Sequence, residues 1–428
     1  MCRHESELAM DIFIDGVRSF KSGNTFEIRP ITLVVGENSS GKSALMACVS
    51  TVLDQSFPSV SGFNTAPFTL GGFNTICTDD GRESFTLALS TPEIPHRRRV
   101  EVEFVNRENE PVPSRINWES SSFLLDAKWT ADGNAKGTLK IKESKGRPFE
   151  VRARIPHSIY DEFNSSRTLN ELFFSAWQKI EKRSVKNIRY KRAAAEIRRC
   201  VSFSHRQNQK TIAIAPLRSK PERIYDRKKE GFDPTGAHIP FFLSRTLRDD
   251  SNGQKLYKAL DSFGKDSGLF DSIEVKRYGK GVGDPFQISV KLKGGNRNLT
   301  DVGYGVSQAL PIAVESISAP RGSRLLIQQP EVHLHPKAQA SIASVFTSLY
   351  KTDRKNFVIE THSDYVVDRF RQHVRNGDLK PSDISLIFLT TIKSESVGYQ
   401  VDLDSNGHVV NPPERYREFF IHEQMKML

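Results

Sequence analysis

The chain has 428 residues, a formal net charge of +11 and four cysteines, which is length enough for two or three domains' worth of core or for one large α/β domain with insertions. No continuous apolar run reaches membrane-spanning length, and the opening Met1-Cys-Arg-His-Glu-Ser-Glu lacks the apolar segment of a secretory signal, so no membrane partner and a soluble, cytoplasmic protein are expected. Cys2, Cys48, Cys77 and Cys200 lie far apart with no C-x-x-C pair, which predicts reduced thiols and argues against a disulfide framework or a zinc site.

In chain order, residues 10–30 read as two short strands in a hairpin. The β-branched apolar run 31–35 then reads as a strand that stops at Gly36. Glu37, Asn38, Ser39, Ser40 and Gly41 make a loop, and helix-forming residues resume after Ser43, with Leu45, Ala47, Cys48 and Val52 placed to pack on a sheet. The loop is spelled G-x-x-x-x-G-K-S. A triphosphate needs a concave row of backbone N–H groups, glycines that let the main chain approach, and a helix N-terminus whose dipole favours anions. In such a loop Lys42 reaches the β- and γ-phosphates and the Ser43 hydroxyl can ligate Mg²⁺.

Residues 61–82, rich in Gly, Asn, Thr and Phe, read as a long ordered loop. From residue 84 to about 155, short alternating runs separated by turn residues predict antiparallel β structure. Residues 158–208 show helical spacing (Leu169, Leu172, Phe173, Ala176, Trp177, Ile180). Positive charge is concentrated between Lys179 and Glu230, where 17 Lys and Arg stand against 5 Asp and Glu. Such a segment fits either nucleic acid as a partner or a solvated helical face. A strand returns at 210–216, a helix is expected over 239–263, and 286–299 reads as a β-hairpin turning at Gly294-Gly295. A Gly- and Ser-rich turn at 301–308 opens another helix. Strands follow at 325–327 and 357–359, with a helix from Pro336 between them, and a final α/β stretch includes 386–389. The fold class expected is α/β, a mostly parallel sheet with flanking helices, split by an inserted β-plus-helical region. The segments are 1–83, 84–235 for the insertion, and 236–428.

Two phrases after the insertion are the most specific: Leu325-Leu-Ile-Gln-Gln-Pro-Glu-Val-His-Leu-His-Pro336 and Phe357-Val-Ile-Glu-Thr-His-Ser-Asp364. With the phosphate loop and the 301–308 turn, they resemble the ATP-binding-cassette (ABC) class of ATPases in its soluble branch, of the RecF, SMC and OLD kind. The resemblance is nearest to the stand-alone AAA_15/AAA_21-type ATPases of bacterial antiphage systems such as PARIS and Septu. It covers residues 10–75 and 285–420. It implies an ABC-type ATPase head using ATP and Mg²⁺. Gly36, Asn38, Gly41, Lys42 and Ser43 would form the Walker A loop, with Ser39, Ser40 and Ala44 completing its phosphate contacts. Gly303, Gly305, Ser307 and Gln308 would be the signature motif that meets the nucleotide of a second subunit in a head-to-tail pair. His362 would be the switch histidine, and His335 would lie in the segment that crosses the dimer interface.

The chain departs from the family where two carboxylates normally follow the apolar strand. It carries Gln328 and Gln329 there, the first at the metal position and the second at the catalytic one. An amide cannot act as a general base and contributes little to a Mg²⁺ shell. Glu331 is the nearest carboxylate left for that work, so either it restores ordinary turnover or hydrolysis is slow. His333 and His335 have no third ligand at suitable spacing for a metal. Asp402 and Asp404 have the spacing of a TOPRIM nuclease pair, but the stretch after His362 is short for a second domain of about 100 residues. The resemblance therefore implies the sensor and scaffold of an antiphage complex. Its partners would be a second copy, a separately encoded effector nuclease of the TOPRIM or HNH class, and a phage-encoded trigger. The alternative is a DNA-binding repair ATPase of the RecF or SMC kind using 179–230.

Overall fold

The computed structural model describes residues 9–54, 57, 62–91, 98–120, 123–129, 135–141, 149–155, 210–226, 231–246, 251–279 and 283–416. Its strands in chain order are β1 (Met10–Asp15), β2 (Asn24–Ile28), β3 (Ile31–Gly36), β4 (Ser84–Thr91), β5 (Arg98–Arg107), β6 (Glu110–Glu119), β7 (Phe123–Trp129), β8 (Ala135–Ile141) and β9 (Phe149–Ile155). They continue as β10 (Thr211–Ile214), β11 (Ser272–Arg277), β12 (Phe286–Leu292), β13 (Gly295–Asn298), β14 (Arg324–Gln328), β15 (Asn356–Glu360), β16 (Ile384–Ile392), β17 (Glu395–Leu403) and β18 (Val409–Val410). Contacts divide the chain into two compact units. One comprises Met1–Arg29, Glu37–Gln209 and Leu389–Gly398, and the other Pro30–Gly36, Lys210–Phe388 and Tyr399–Leu428.

The first unit is built on an eight-stranded sheet in the order β2-β1-β4-β5-β6-β7-β8-β9, with every neighbouring pair antiparallel. β5 has the half-buried pattern expected of such a sheet: Val100, Val102 and Phe104 turn inward while Glu101, Glu103 and Val105 are partly exposed. Phenylalanines fill its core. The Phe85 and Phe104 rings stack at 5.1 Å, and the Phe63 ring meets both edge-on at 5.5 and 5.1 Å. Helix Lys42–Val52 packs here against β1, β4 and the turn Gly62–Asn64. The loop expected over 61–82 carries that turn and the short helix Phe73–Ile76.

The second unit holds the parallel core. A seven-stranded sheet runs β10-β14-β15-β3-β16-β17-β18, and its β10, β14, β15 and β3 are parallel. β3, β14 and β15 are buried along their whole length. Their near-continuous apolar runs are what a strand covered on both faces requires. Helices Tyr304–Ser318, Pro336–Asp353 and Asp364–Arg375 flank this sheet in one apolar core that includes Leu325, Ile327, Phe346, Phe357 and Phe370. The Phe346 and Phe357 rings stack at 4.5 Å.

The expected hairpin at 286–299 is present as β12 and β13, with Leu292 opposite Gly295. It belongs to a three-stranded sheet whose third member, β11, was not expected. The single helix expected over 239–263 is two, Ile239–Thr246 and Ser251–Ser267. The α/β fold follows the expectation, and β4 to β9 are antiparallel as the alternating runs of 84–155 predict, with β1 and β2 joined to the same sheet. The helical tract 158–208 and most of the basic segment lie outside the described residues. Among the described residues no helix is long and apolar enough to cross a membrane, and no cluster of three or more His, Cys, Asp or Glu could hold a metal. Cys48 and Cys77 are free and buried. Burial pushes the Cys48 thiol up to about 12, so it stays protonated at neutral pH.

Candidate functional site

The loop between β3 and helix Lys42–Val52 turns on backbone that side chains resist. Gly36 has φ 144°, Ser39 φ 61° and Gly41 φ 93°. A Cβ at Gly41 would stand 2.7 Å from the Ser396 hydroxyl oxygen and 3.1 Å from the Phe20 ring, so both the dihedral and the space demand glycine. Gly41 also caps the helix, with no side-chain hydrogen bond at the cap. Lys42 is buried, and its ammonium donates to the Glu37 carbonyl across the loop. The Ser40 hydroxyl is fully buried with no hydrogen-bond partner. Glycine-lined backbone, a helix start with no side-chain cap, a buried cation and an orphaned hydroxyl make a donor set that fits phosphate oxygens. Asn38, Ser39 and Ser43 are exposed on the same loop, while Ala44 is buried.

In the second unit, the carboxyl ends of β14, β15 and β3 open on one edge of the parallel sheet, the edge from which the phosphate loop departs at Gly36. Gln328 lies in register with Glu360, and Glu360 with Val34. The Gln328 amide donates to the Glu360 carboxylate at 2.9 Å. Beyond the strand, Gln329 donates its N–H to the Glu360 carbonyl at 2.7 Å and takes φ 45°, a left-handed conformation uncommon outside glycine. That bend carries the chain to Glu331.

Glu331 is buried, and both of its carboxylate oxygens accept hydrogen bonds from the loop after β15. Oε1 takes the His362 N–H at 2.7 Å and Oε2 takes the Thr361 hydroxyl at 2.9 Å. Burial raises its pKa above the usual carboxylate range, although the His362 N–H, the Thr361 hydroxyl and Arg218 pull the other way. The His362 side chain itself is exposed. Gln339 adds a second tie, donating to the Leu334 carbonyl at 2.7 Å and accepting from the Ser363 hydroxyl at 2.6 Å. Ser363 in turn caps helix Asp364–Arg375 by accepting from the Val366 N–H.

Arg218 completes the arrangement from the loop after β10. Its Nη2 donates to the carbonyls of Gln328 at 2.8 Å and Gln329 at 3.0 Å, while Nε and Nη1 are buried with no partner. Burial lowers its pKa to about 10, so it keeps its charge at neutral pH. Arg223, the next arginine, is spent on the exposed pair with Asp301. These two members of the basic 179–230 segment therefore serve intramolecular contacts.

The 301–308 turn opens helix Tyr304–Ser318, with Gly303 at its cap. Asp301, Gly303 and Tyr304 are exposed, whereas Ser307 and Gln308 face inward, the Ser307 hydroxyl donating to the Tyr304 carbonyl at 2.8 Å. The exposed part of this turn is thus its Gly303–Tyr304 start, one helical turn before Ser307. Gly305 is pressed against the loop after β14: a Cβ there would lie 2.8 Å from the His333 carbonyl oxygen, and the Tyr304 and His333 rings meet edge-on at 4.8 Å. His335 caps helix Pro336–Asp353 through its Nδ1, so both histidines have packing and capping roles. Asp404 closes a turn, accepting from the Asn406 and His408 N–H groups at 2.8 Å each.

The structure therefore gathers Gln328, Gln329, Glu331 and His362 at one sheet edge, and adds Arg218, Gln339, Thr361 and Glu360. Thr361 and Glu360 stand in the Glu-Thr-His-Ser phrase itself, but Arg218 and Gln339 carry no local signal, because their partners are 110 and 24 residues away.

A glycine-cornered phosphate loop on a buried parallel strand, in a sheet whose parallel strands β14 and β15 end in polar groups, defines a phosphate-loop nucleotide-binding protein of the α/β class. Within that class, the chain belongs to the AAA_21 family, described as "AAA domain, putative AbiEii toxin, Type IV TA system", whose model matches residues 31–368. Solved structures similar to it include an SMC head domain from Thermotoga maritima, at 12% identity and a TM-score of 0.40, covering 92% of this chain and 100% of that one. An SmcHead bound to the C-winged helix domain of ScpA is similar at 12% identity and 0.40, covering 92% and 98%. A third is the Smc head with an extended coiled coil bound to the C-terminal domain of ScpA from Pyrococcus furiosus, at 12% and 0.37, covering 97% and 98%. No curated protein matches the chain.

Proposed function

We propose that the chain is a nucleotide-operated scaffold of an antiphage defence complex. It binds ATP with Mg²⁺, hydrolyses it slowly, and pairs head-to-tail with a second copy when loaded. In that state it holds a separately encoded effector nuclease of the TOPRIM or HNH class until a phage-encoded trigger alters the pair. Membership of an AAA family and the donor set of loop 36–43 support the nucleotide. The family's description as a toxin of a Type IV TA system supports a protein that works with a partner encoded apart from it.

The observation that carries the reading is the double hydrogen bond from Thr361 and His362 to Glu331. It joins the loops after β14 and β15, so a displacement of one reaches the other. A ligand shifts a protein between states only through contacts that differ between them, and a joined pair of loops at the sheet edge supplies such contacts. Slow turnover follows from the amides at 328 and 329 together with a Glu331 whose two oxygens are already engaged. Its raised pKa makes Glu331 a stronger base than an ordinary carboxylate once it is ionised. Mg²⁺, when bound, would supply charge neutralisation on the phosphates, and Ser43 is the residue of the phosphate loop that would hold it.

Purification from the native host, with and without Lys42→Ala, tests this. The intact chain should retain adenine nucleotide and bring down the product of a neighbouring gene, and Lys42→Ala should lose the nucleotide. A protein that isolates alone, monomeric and free of nucleotide would overturn the reading.

A further inference from the structure

The two amides at 328 and 329 leave β14 without the carboxylate that a magnesium nucleotide calls for. We infer that Glu360 supplies it, from the adjacent strand. The inference rests on the nucleotide reading above.

Three observations lead there. β14 and β15 are parallel and in register, with Gln328 beside Glu360, so their side chains leave the same face of the sheet at the same height. The strand order is β14-β15-β3, which makes Glu360 the residue directly beside Val34 of the phosphate-loop strand, with Gln328 one strand farther out. A carboxylate on β15 is therefore about 4.8 Å nearer the departure of the loop than one on β14 would be. Finally, the Gln328 amide donates to Glu360 Oε2 at 2.9 Å. A glutamine can donate to an ionised carboxylate, whereas a second carboxylate in its place would repel it. Glutamine at 328 is thus the residue that holds Glu360 in orientation. The pair keeps one negative charge at the edge and exchanges the strand that bears it. Hard divalent cations take oxygen ligands and favour carboxylate over amide oxygen, so the charge-bearing position is the metal-side one.

Mn²⁺ replaces Mg²⁺ as a spectroscopic probe in the test. Binding of a fluorescent, non-hydrolysable ATP analogue is first measured without metal, and Mn²⁺ affinity of the analogue-loaded protein is then read by electron paramagnetic resonance. Glu360→Gln is expected to leave metal-free analogue binding within about twofold and to weaken Mn²⁺ at least about tenfold. The exchanged variant Gln328→Glu/Glu360→Gln is expected to recover most of that loss. If the wild-type chain binds no analogue, the nucleotide reading itself fails. If it binds analogue and Mn²⁺ but Glu360→Gln holds the ion as tightly, only the present inference is overturned. Should Glu360→Gln not fold, Glu360→Asp, which keeps the charge on a shorter arm, is expected to weaken Mn²⁺ at least about threefold, and an unchanged affinity there overturns the inference equally.

Discussion

Glu331 and His362 stand 31 residues apart in the chain, yet the His362 N–H reaches Glu331 Oε1 at 2.7 Å and fixes the ends of two parallel strands to each other. A carboxylate buried this deeply is costly unless its oxygens are satisfied, and here backbone N–H and threonine hydroxyl satisfy them. The same atoms that stabilise it set its chemistry.

Replacement of Glu331 by Gln separates these roles. The amide keeps one acceptor for the His362 N–H but cannot take a proton, so hydrolysis should fall by about 10²–10⁴-fold while nucleotide affinity changes little. Single-turnover hydrolysis beside equilibrium binding measures both. In the wild type, the rate should rise with pH through the raised Glu331 value and then level.

Stability should carry the opposite pH trend from that of an ordinary ion-paired carboxylate. Because the folded pKa lies above the usual 4.5, the native state binds more protons than the unfolded chain between the two values. The contribution of Glu331 to unfolding free energy is therefore greatest at low pH and declines as pH rises through that window. Denaturant titrations across it should show a slope that Glu331→Gln removes. An equal slope in both proteins would deny the raised pKa.

Much of this site is readable in the amino-acid order, because a buried parallel strand announces itself as an unbroken apolar run. The runs at 31–35, 325–327 and 357–359 do so, and the polar phrases after them mark the sheet edge. Register between strands is a different matter. That Gln328 faces Glu360 depends on how helix Pro336–Asp353 returns the chain, and no local periodicity encodes it. Arg218 looks like one more charge in a basic tract until β10 pairs with β14 and turns it inward. β11 escaped for a similar reason: Ser272-Ile-Glu-Val-Lys-Arg277 is short and charged, and only pairing with β12 makes it a strand.

Arg218→Ala should expose the cost of that inward arginine. Two carbonyl oxygens lose a charged donor, so we expect a loss of about 2–3 kcal/mol in unfolding free energy. Arg218→Lys should recover only part, since an ammonium lacks the fork of the guanidinium. Urea unfolding of the three proteins checks the order.

Gly41→Ala tests the phosphate loop by geometry alone. A φ of 93° costs an alanine about 1–2 kcal/mol, and its Cβ would press on Ser396 and Phe20. The chain should remain folded by circular dichroism and lose nucleotide retention, as Lys42→Ala should by removing charge. Retained binding in Gly41→Ala would show that the loop tolerates a shape the glycine is there to prevent.

Tyr304 tests the pairing of two copies. It is 43% exposed at the start of helix Tyr304–Ser318, braced edge-on by His333, and sits where the 301–308 turn would meet a second molecule. A rigid, half-exposed tyrosine held by a neighbouring ring is the kind of residue that carries an interface, since little conformational freedom is lost when it is covered. Tyr304→Ala should leave the nucleotide affinity of a single copy unchanged and weaken nucleotide-dependent self-association by about tenfold or more, a difference of about 1.4 kcal/mol. Sedimentation velocity over a concentration series, with and without a non-hydrolysable ATP analogue, reads this directly. A variant that pairs as tightly as the wild type would move the interface away from this turn.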